Sequence, residues 1–359
     1  MVMFKQNLDS ITPYVPGQSI ESIQQEYGLS NVIKLASNEN PLGPAVPYKD
    51  CQCNIAQYPD YNAHPLSQAI ADTWNTQKDH IILGNGSDEL LLLVGLACLE
   101  TGDEVISSDC TFSEYEFATK VTGATYIACP MENNTYNPQA IINAITPNTK
   151  IIFIANPNNP TGTYLNHTDI TAILNATNPT QTLVVLDEAY AEYTTAEDYP
   201  NTQELLSTYP NLFVTRTFSK IYGLAALRLG YGIGHPSIIQ ALQKIRPPFN
   251  VNGIALACGL NALNQTEFVT QSKQLNIDGM AYIQNALSNT PCNILPSQGN
   301  FLFIEFNNHS GTDIANKLLE TGIIVRNMKS FGRDNAIRVT IGTQAQNELF
   351  TKELISCLN

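Results

Sequence analysis

Residues 182–190 read TLVVLDEAY, a short unbroken apolar run that closes on a carboxylate, Asp187. A run without polar alternation suits a strand covered on both faces of a sheet. The same signature recurs as HIIL (80–83), EVIS (104–107), TYIA (125–128), KIIFIA (150–155), LFVT (212–215) and GYGIG (230–234). Helical stretches lie between, such as SDELLLLVGLACLE (87–100), with Gly102 placed to stop it from the C-terminal side. That alternation predicts an α/β domain over residues 31–249: a mostly parallel sheet with helices on both faces.

The adjacent prolines in IRPPFNVNG (245–253) end the pattern. A smaller α+β unit is expected over 250–359, with a long helical region and strands at FLFIEF (301–306), GIIVR (322–326) and AIRVTIG (336–342). Residues 1–30 form an arm whose short amphipathic helix, SIESIQQEYG (19–28), is expected to pack on that second unit. A chain of 359 residues is longer than one core comfortably serves, and 43% apolar residues are enough for two.

Net charge is −14, and only 14% of residues are charged. With no Lys/Arg run, such a chain repels nucleic acid and anionic membrane, so an anionic ligand must be held by a few placed cations or backbone N–H groups. The longest apolar run, LLLLVGLACL (90–99), is too short to cross a bilayer, and the N-terminus lacks an apolar signal core. A cytoplasmic protein is expected. The eight cysteines, at 51, 53, 98, 110, 129, 258, 292 and 357, are scattered without metal-type spacing. They read as thiols in a reducing compartment, with no metal site.

In open parallel sheets, ligands sit beyond the carboxyl ends of the strands. Four clusters fall there: GNGSDE (84–89), NPNNPTG (156–162), DEAY (187–190) and RTFSK (216–220), with Arg228 eight residues beyond Lys220. Singly, each has a plain explanation. A glycine turn punctuates, Asp88 and Glu89 complement a helix dipole, and Asp187 satisfies a structural donor. Jointly they bring an amine, a carboxylate and an anion cradle to one sheet edge. Pyridoxal phosphate needs that set: a lysine for its aldehyde, a carboxylate for its ring nitrogen, and donors for its phosphate.

PNNPTG, DEAY and FSKIYGLAALRLGY resemble the fold-type I, aspartate-aminotransferase-like enzymes, in order and at fitting separations along nearly the whole chain. The resemblance implies that Lys220 bonds the cofactor and moves the proton at the substrate's Cα. It implies that Asp187 pairs with the ring nitrogen and that Asn159 and Tyr190 contact the ring hydroxyl. Phe112 would stack on the ring, unless it is a core aromatic. Ser219, Arg228 and the backbone of Gly86, Ser87 and Asp88 would hold the phosphate, a task suited to the planar fork of arginine.

Within that group, LDSITPYVPGQS (8–19), KLASNENPLGP (34–44), QYPDY (57–61), GNGSDELL and AIRVTIGT (336–343) resemble the histidinol-phosphate aminotransferases. That resemblance implies transfer of an amino group between L-histidinol phosphate and 2-oxoglutarate. It also implies a homodimer in which Tyr58 reaches the partner's cofactor phosphate, and substrate recognition by Tyr14, Asn38, Arg326 and Arg338. Arg326 also reads as a strand-end surface charge. The chain departs from the pattern at Ser67, where arginine is expected, and at Ala226, where glycine is usual. An aromatic aminotransferase or an amino-acid-phosphate decarboxylase of the same fold stays open. A non-catalytic regulator that binds the same cofactor is disfavoured, because the chain carries no basic DNA-reading segment.

Overall fold

The computed structural model describes residues 4–13 and 19–358. The N-terminal helix Ile20–Tyr27 begins at Ser19, whose hydroxyl accepts from the Ser22 N–H, and stops at Gly28 in the left-handed region (φ 67°). Its buried Ile23 packs on Leu319 and Ile324. Strand β1 (Ile33–Lys34) follows.

Seven strands build the large sheet: β2 (Ile81–Gly84), β3 (Glu104–Ser108), β4 (Thr125–Cys129), β5 (Thr149–Ala155), β6 (Leu183–Asp187), β7 (Leu212–Thr217) and β8 (Gly230–Gly234), in the order β2-β8-β7-β6-β5-β3-β4. Each of the seven runs read above as strands of residues 31–249 is one of these strands. Ile151–Ile154 of β5 and Val184–Leu186 of β6 are wholly buried, which accounts for their lack of alternation. Successive residues feed opposite cores. Ile151, Phe153, Val185 and Phe213 face one helical layer, while Ile152, Ile154, Val184 and Val214 face the other.

The sheet is parallel except at β8, which runs antiparallel to both β7 and β2. The reason is the connection. Residues 218–229 hold only one short turn of helix, Ala225–Leu227, with no crossover helix to return the chain parallel. This tight return carries Lys220 and Arg228. Helix Ser87–Cys98 stops before the expected Gly102, whose positive φ (102°) instead serves the turn closed by Asp103 N–H on Glu100 O (3.1 Å).

The second sheet is antiparallel, in the order β12-β13-β10-β9, from β9 (Cys292–Ile294), β10 (Phe301–Phe306), β12 (Arg326–Asn327) and β13 (Ala336–Thr340). The single strand expected at 322–326 is divided. Strand β11 (Ile323–Ile324) pairs in parallel with β1, and β12 turns to join β13. Helices Thr266–Leu287, Gly311–Glu320 and Gln344–Leu358 cover this sheet, with Leu302, Ile304 and Val339 against Ile283, Leu318 and Phe350.

Two findings amend the sequence reading. Cys51 and Cys258 are joined by a disulfide, not free thiols; 207 residues apart, they meet because helix Gly253–Ala262 lies on the large-sheet core beside Leu66 and Phe218. Tyr14 lies outside the described residues. No helix among them is long and apolar enough to cross a membrane.

Candidate active site

Asp187 ends β6 beneath the carboxyl edge of the sheet and is 5% exposed. In-register pairing sets it against Thr215 of β7, whose hydroxyl donates to Oδ1 (2.9 Å). Tyr115, fully buried on helix Ser113–Lys120, donates its phenol to Oδ2 (2.9 Å). Burial pushes the Asp187 carboxyl up to about 6; the Tyr115 and Thr215 donors oppose the rise, and the Asp88 charge adds to it. Its side-chain partners are both hydroxyls, with the backbone at Ala189 a further donor, and no cation pairs with it among the described residues.

Lys220 follows β7 in the short return. Its Nζ donates to the Ser37 carbonyl (3.1 Å) and stands 5.8 Å from the centre of the Tyr190 ring. Tyr190, just past β6, is buried, and its phenol oxygen accepts from Asn38 Nδ2 (2.9 Å). With that lone pair engaged, the phenol proton is free to point elsewhere. Asn38 is itself buried, with φ 54°; its N–H donates to Thr340 Oγ1 (2.9 Å) and its carbonyl accepts from Asn300 Nδ2 (3.1 Å). Its carboxamide is thus engaged within the protein.

The turn after β2 passes through Gly86 (φ 82°) into helix Ser87–Cys98, whose start has no side-chain cap. The first-turn N–H groups of that helix are therefore open to an anion. A Cβ at Gly86 would lie 2.5 Å from Arg228 Nη2, and one at Gly230 would strike the Ser87 amide. The glycines thus let the turn and the guanidinium come together. Arg228, in the left-handed region (φ 54°), donates to Ser219 Oγ (3.3 Å) and pairs with Asp88 Oδ2 (2.9 Å).

From the second sheet, Arg326 and Arg338 stand directly opposite each other on β12 and β13. Like charges at such a pair repel, so a shared anion would stabilise both. Arg338 donates to the Ala36 carbonyl (2.7 Å) and to Asn159 Oδ1, and lies 5.4 Å from the Phe301 ring centre. Asn159 thus meets Arg338 across the two sheets.

Phe112 is half-buried, edge-on to Tyr115 (5.8 Å between centroids). Tyr58 is a surface residue, 82% exposed and stacked on Phe249 (4.7 Å). Sequence reasoning missed Tyr115, Thr215 and the Ser37 and Ala36 carbonyls. Thr215 was legible as the residue level with Asp187 on the next run; the carbonyls leave no mark in a sequence. It also passed over Glu188, fully buried and paired with Arg216 (2.6 Å).

These features fit pyridoxal phosphate: a buried carboxylate held by hydroxyls, an uncapped helix start facing an arginine, and an amine, Lys220, on the return that also carries that arginine. Residues 30–354 match the family model for aminotransferase class I and II. The chain is 42% identical over 350 residues to the histidinol-phosphate aminotransferase of Moorella thermoacetica, covering 96% of this chain and 90% of that one. It is 40% identical over 358 residues to that of Anoxybacillus flavithermus, covering 99% and 96%.

The chain belongs to the histidinol-phosphate aminotransferase family.

Among solved structures, the Sinorhizobium meliloti histidinol-phosphate aminotransferase in complex with pyridoxal-5'-phosphate superposes with TM-score 0.91 at 25% identity, covering 100% of this chain and 98% of that one. A Thermus thermophilus aspartate aminotransferase mutant at 18% identity (TM-score 0.85) shares the fold, which is fold-type I. The shared fold accounts for both sheets.

Proposed function

We infer that this aminotransferase interconverts L-histidinol phosphate plus 2-oxoglutarate with imidazole acetol phosphate plus L-glutamate, using pyridoxal phosphate, in histidine biosynthesis. Identity of about 40% along the whole length of enzymes named for that donor carries the reading. The opposed Arg326 and Arg338 support it, since phosphate and carboxylate donors are both anionic.

Pyridoxal phosphate, when bound, supplies an aldehyde that takes up the amino group and a ring that spreads the charge left at the substrate's Cα. The protein does the rest. Arg228, Ser219 and the N–H groups at Gly86, Ser87 and Asp88 hold the phosphate. Asp187, kept in place by Tyr115 and Thr215, keeps a proton on the ring nitrogen. Asn159 and the Tyr190 phenol hold the ring hydroxyl, and Phe112 covers a ring face. Lys220 Nζ would be the base that takes the proton from the substrate's Cα and holds it for return. Arg338 would grip the substrate's carboxylate or phosphate with Arg326, and Asn38 would complete that pocket; a part for Tyr14 in recognising the amino donor rests on the family resemblance alone. Asn38 acts there through Tyr190 and Thr340.

We place the enzyme in the cytoplasm as a homodimer with shared sites. Tyr48, Ile55 and Tyr58 are at least 75% exposed on one loop, an apolar surface suited to a second copy. Its parts would be an arm to residue 30, a cofactor-holding unit over 31–249, and a smaller unit over 250–359, with helix Gly253–Ala262 lying back on the first.

The test is a half-reaction on cofactor-loaded protein, followed by cofactor absorbance. L-Histidinol phosphate should convert the cofactor to its amino form, and 2-oxoglutarate should restore it. Faster conversion by phenylalanine would make the chain an aromatic aminotransferase. Carbon dioxide release from threonine phosphate without that conversion would make it a decarboxylase.

A further inference from the structure

On the outer side of edge strand β2, between the helices His64–Thr73 and Pro236–Ile245, lies a cleft of about 650 Å³, within the range of small-molecule sites. Three cations line it, Lys78, Lys244 and Arg246, against one carboxylate, Asp79. None of the three has an ion-pair partner among the described residues. Arg246 is 8% exposed, and its Nε–H is buried without an acceptor. Its other nitrogens reach only neutral oxygens, Tyr61 O (3.0 Å) and Asn250 Oδ1 (3.3 Å), while its guanidinium lies over the Tyr61 ring (4.4 Å).

A buried guanidinium without a carboxylate is unusual, because removing a charge from water is costly unless an opposite charge meets it. In a chain of net charge −14, acids to supply one are plentiful, yet none is paired with Arg246 among the described residues. The floor of the cleft is apolar, from Ile81, Leu83 and Ile239. Buried Ser67, at the position where arginine was expected, leaves the wall open.

We propose that this cleft is a second ligand site, taking a small organic anion: a phosphate monoester or a carboxylate whose head meets Lys78, Lys244 and Arg246 and whose body lies on the apolar floor. The site communicates with the phosphate turn. Asn250, the acceptor for Arg246, donates to Glu89, which in turn accepts from the Asn85 N–H (2.7 Å). A bound anion would therefore be felt where the cofactor phosphate is held, which makes the cleft an effector site.

Phenyl phosphate, titrated calorimetrically into the cofactor-loaded enzyme, should bind two equivalents per chain, one at the active site and one here. Lys78→Glu combined with Lys244→Glu should weaken the second by at least about tenfold while leaving the half-reaction rate unchanged. Ser67→Arg, which places a guanidinium in the cleft, should remove it too, and thermal melting identifies any variant that fails to fold. Benzoate in place of phenyl phosphate separates the two ligand types: binding sensitive to the lysine variants assigns carboxylates to the site, and none restricts it to phosphates. One equivalent in the wild type, or two that survive the charge reversals, would overturn the proposal.

Discussion

Burial of Asp187 carries a cost that a protonated ring nitrogen beside it would offset. Its carboxyl is raised from the ordinary 3.8 to about 6 by burial. Between these values the folded chain holds more protons than the unfolded one, so stability falls as pH rises from about 4 to about 6 and stays lower above that. Cofactor-free Asp187→Asn should therefore be more stable than wild type at pH 7.5, by on the order of 1–3 kcal/mol in urea unfolding, while the same variant loaded with pyridoxal phosphate should be inactive. A less stable variant would mean that the Tyr115 and Thr215 hydrogen bonds outweigh the desolvation. Lys220→Ala should keep the fold and lower the half-reaction rate by at least about 10³-fold. Unchanged circular dichroism with turnover at the wild-type rate would remove Lys220 from its role. Tyr115→Phe takes one donor from Asp187, so its pKa should rise further. The visible spectrum of the bound cofactor should then titrate at a different pH from wild type, whereas a merely structural Tyr115 would leave that titration in place.

Elements determine how these side chains converge. The turn from β2 into helix Ser87–Cys98 and the return from β7 into β8 are both short, and they meet because β2 and β8 are hydrogen-bonded neighbours. Gly86 is the pivot, since its φ of 82° disfavours a side chain and a Cβ there would press on Arg228. Gly86→Ala should raise the Kd for pyridoxal phosphate by about tenfold or more, from backbone strain of roughly 1–2 kcal/mol plus displacement of the guanidinium. Fluorescence titration of the cofactor-free protein measures this directly. Affinity equal to wild type would mean that the turn contributes little to the phosphate site.

At the scale of the whole molecule, the shared-site reading makes a prediction that a self-contained site cannot meet. Lys220→Ala and Tyr58→Ala chains, each impaired alone, should regain activity when mixed and allowed to exchange. One site of each hybrid then has an intact Lys220 and an intact Tyr58 from opposite chains. No recovery in verified hybrids would confine the site to one chain. The Cys51–Cys258 bond ties the loop carrying Tyr58 to helix Gly253–Ala262 and closes a segment of 207 residues. Reduction with dithiothreitol should lower stability by about 2–5 kcal/mol, seen as an earlier urea midpoint; no shift would mean that packing alone holds the loop.

The inner strands of the large sheet were legible because burial on both faces leaves an unbroken apolar run, while edge strand β4 is partly exposed. Asp187, Lys220 and Arg228 stood out because each ends or follows such a run or lies in the short return beyond it. The family was legible from the same motifs, whose order along the chain survives folding. What the sequence could not determine were the contacts between distant segments. These include the Tyr115 donor to Asp187, the Ser37 and Ala36 carbonyls under Lys220 and Arg338, the division of 322–326 between two sheets, and the meeting of Cys51 with Cys258. Local patterning records whether a residue is buried, and on which face of its element. Which buried residue it meets depends on how the elements pack, and that is decided only when the chain closes on itself.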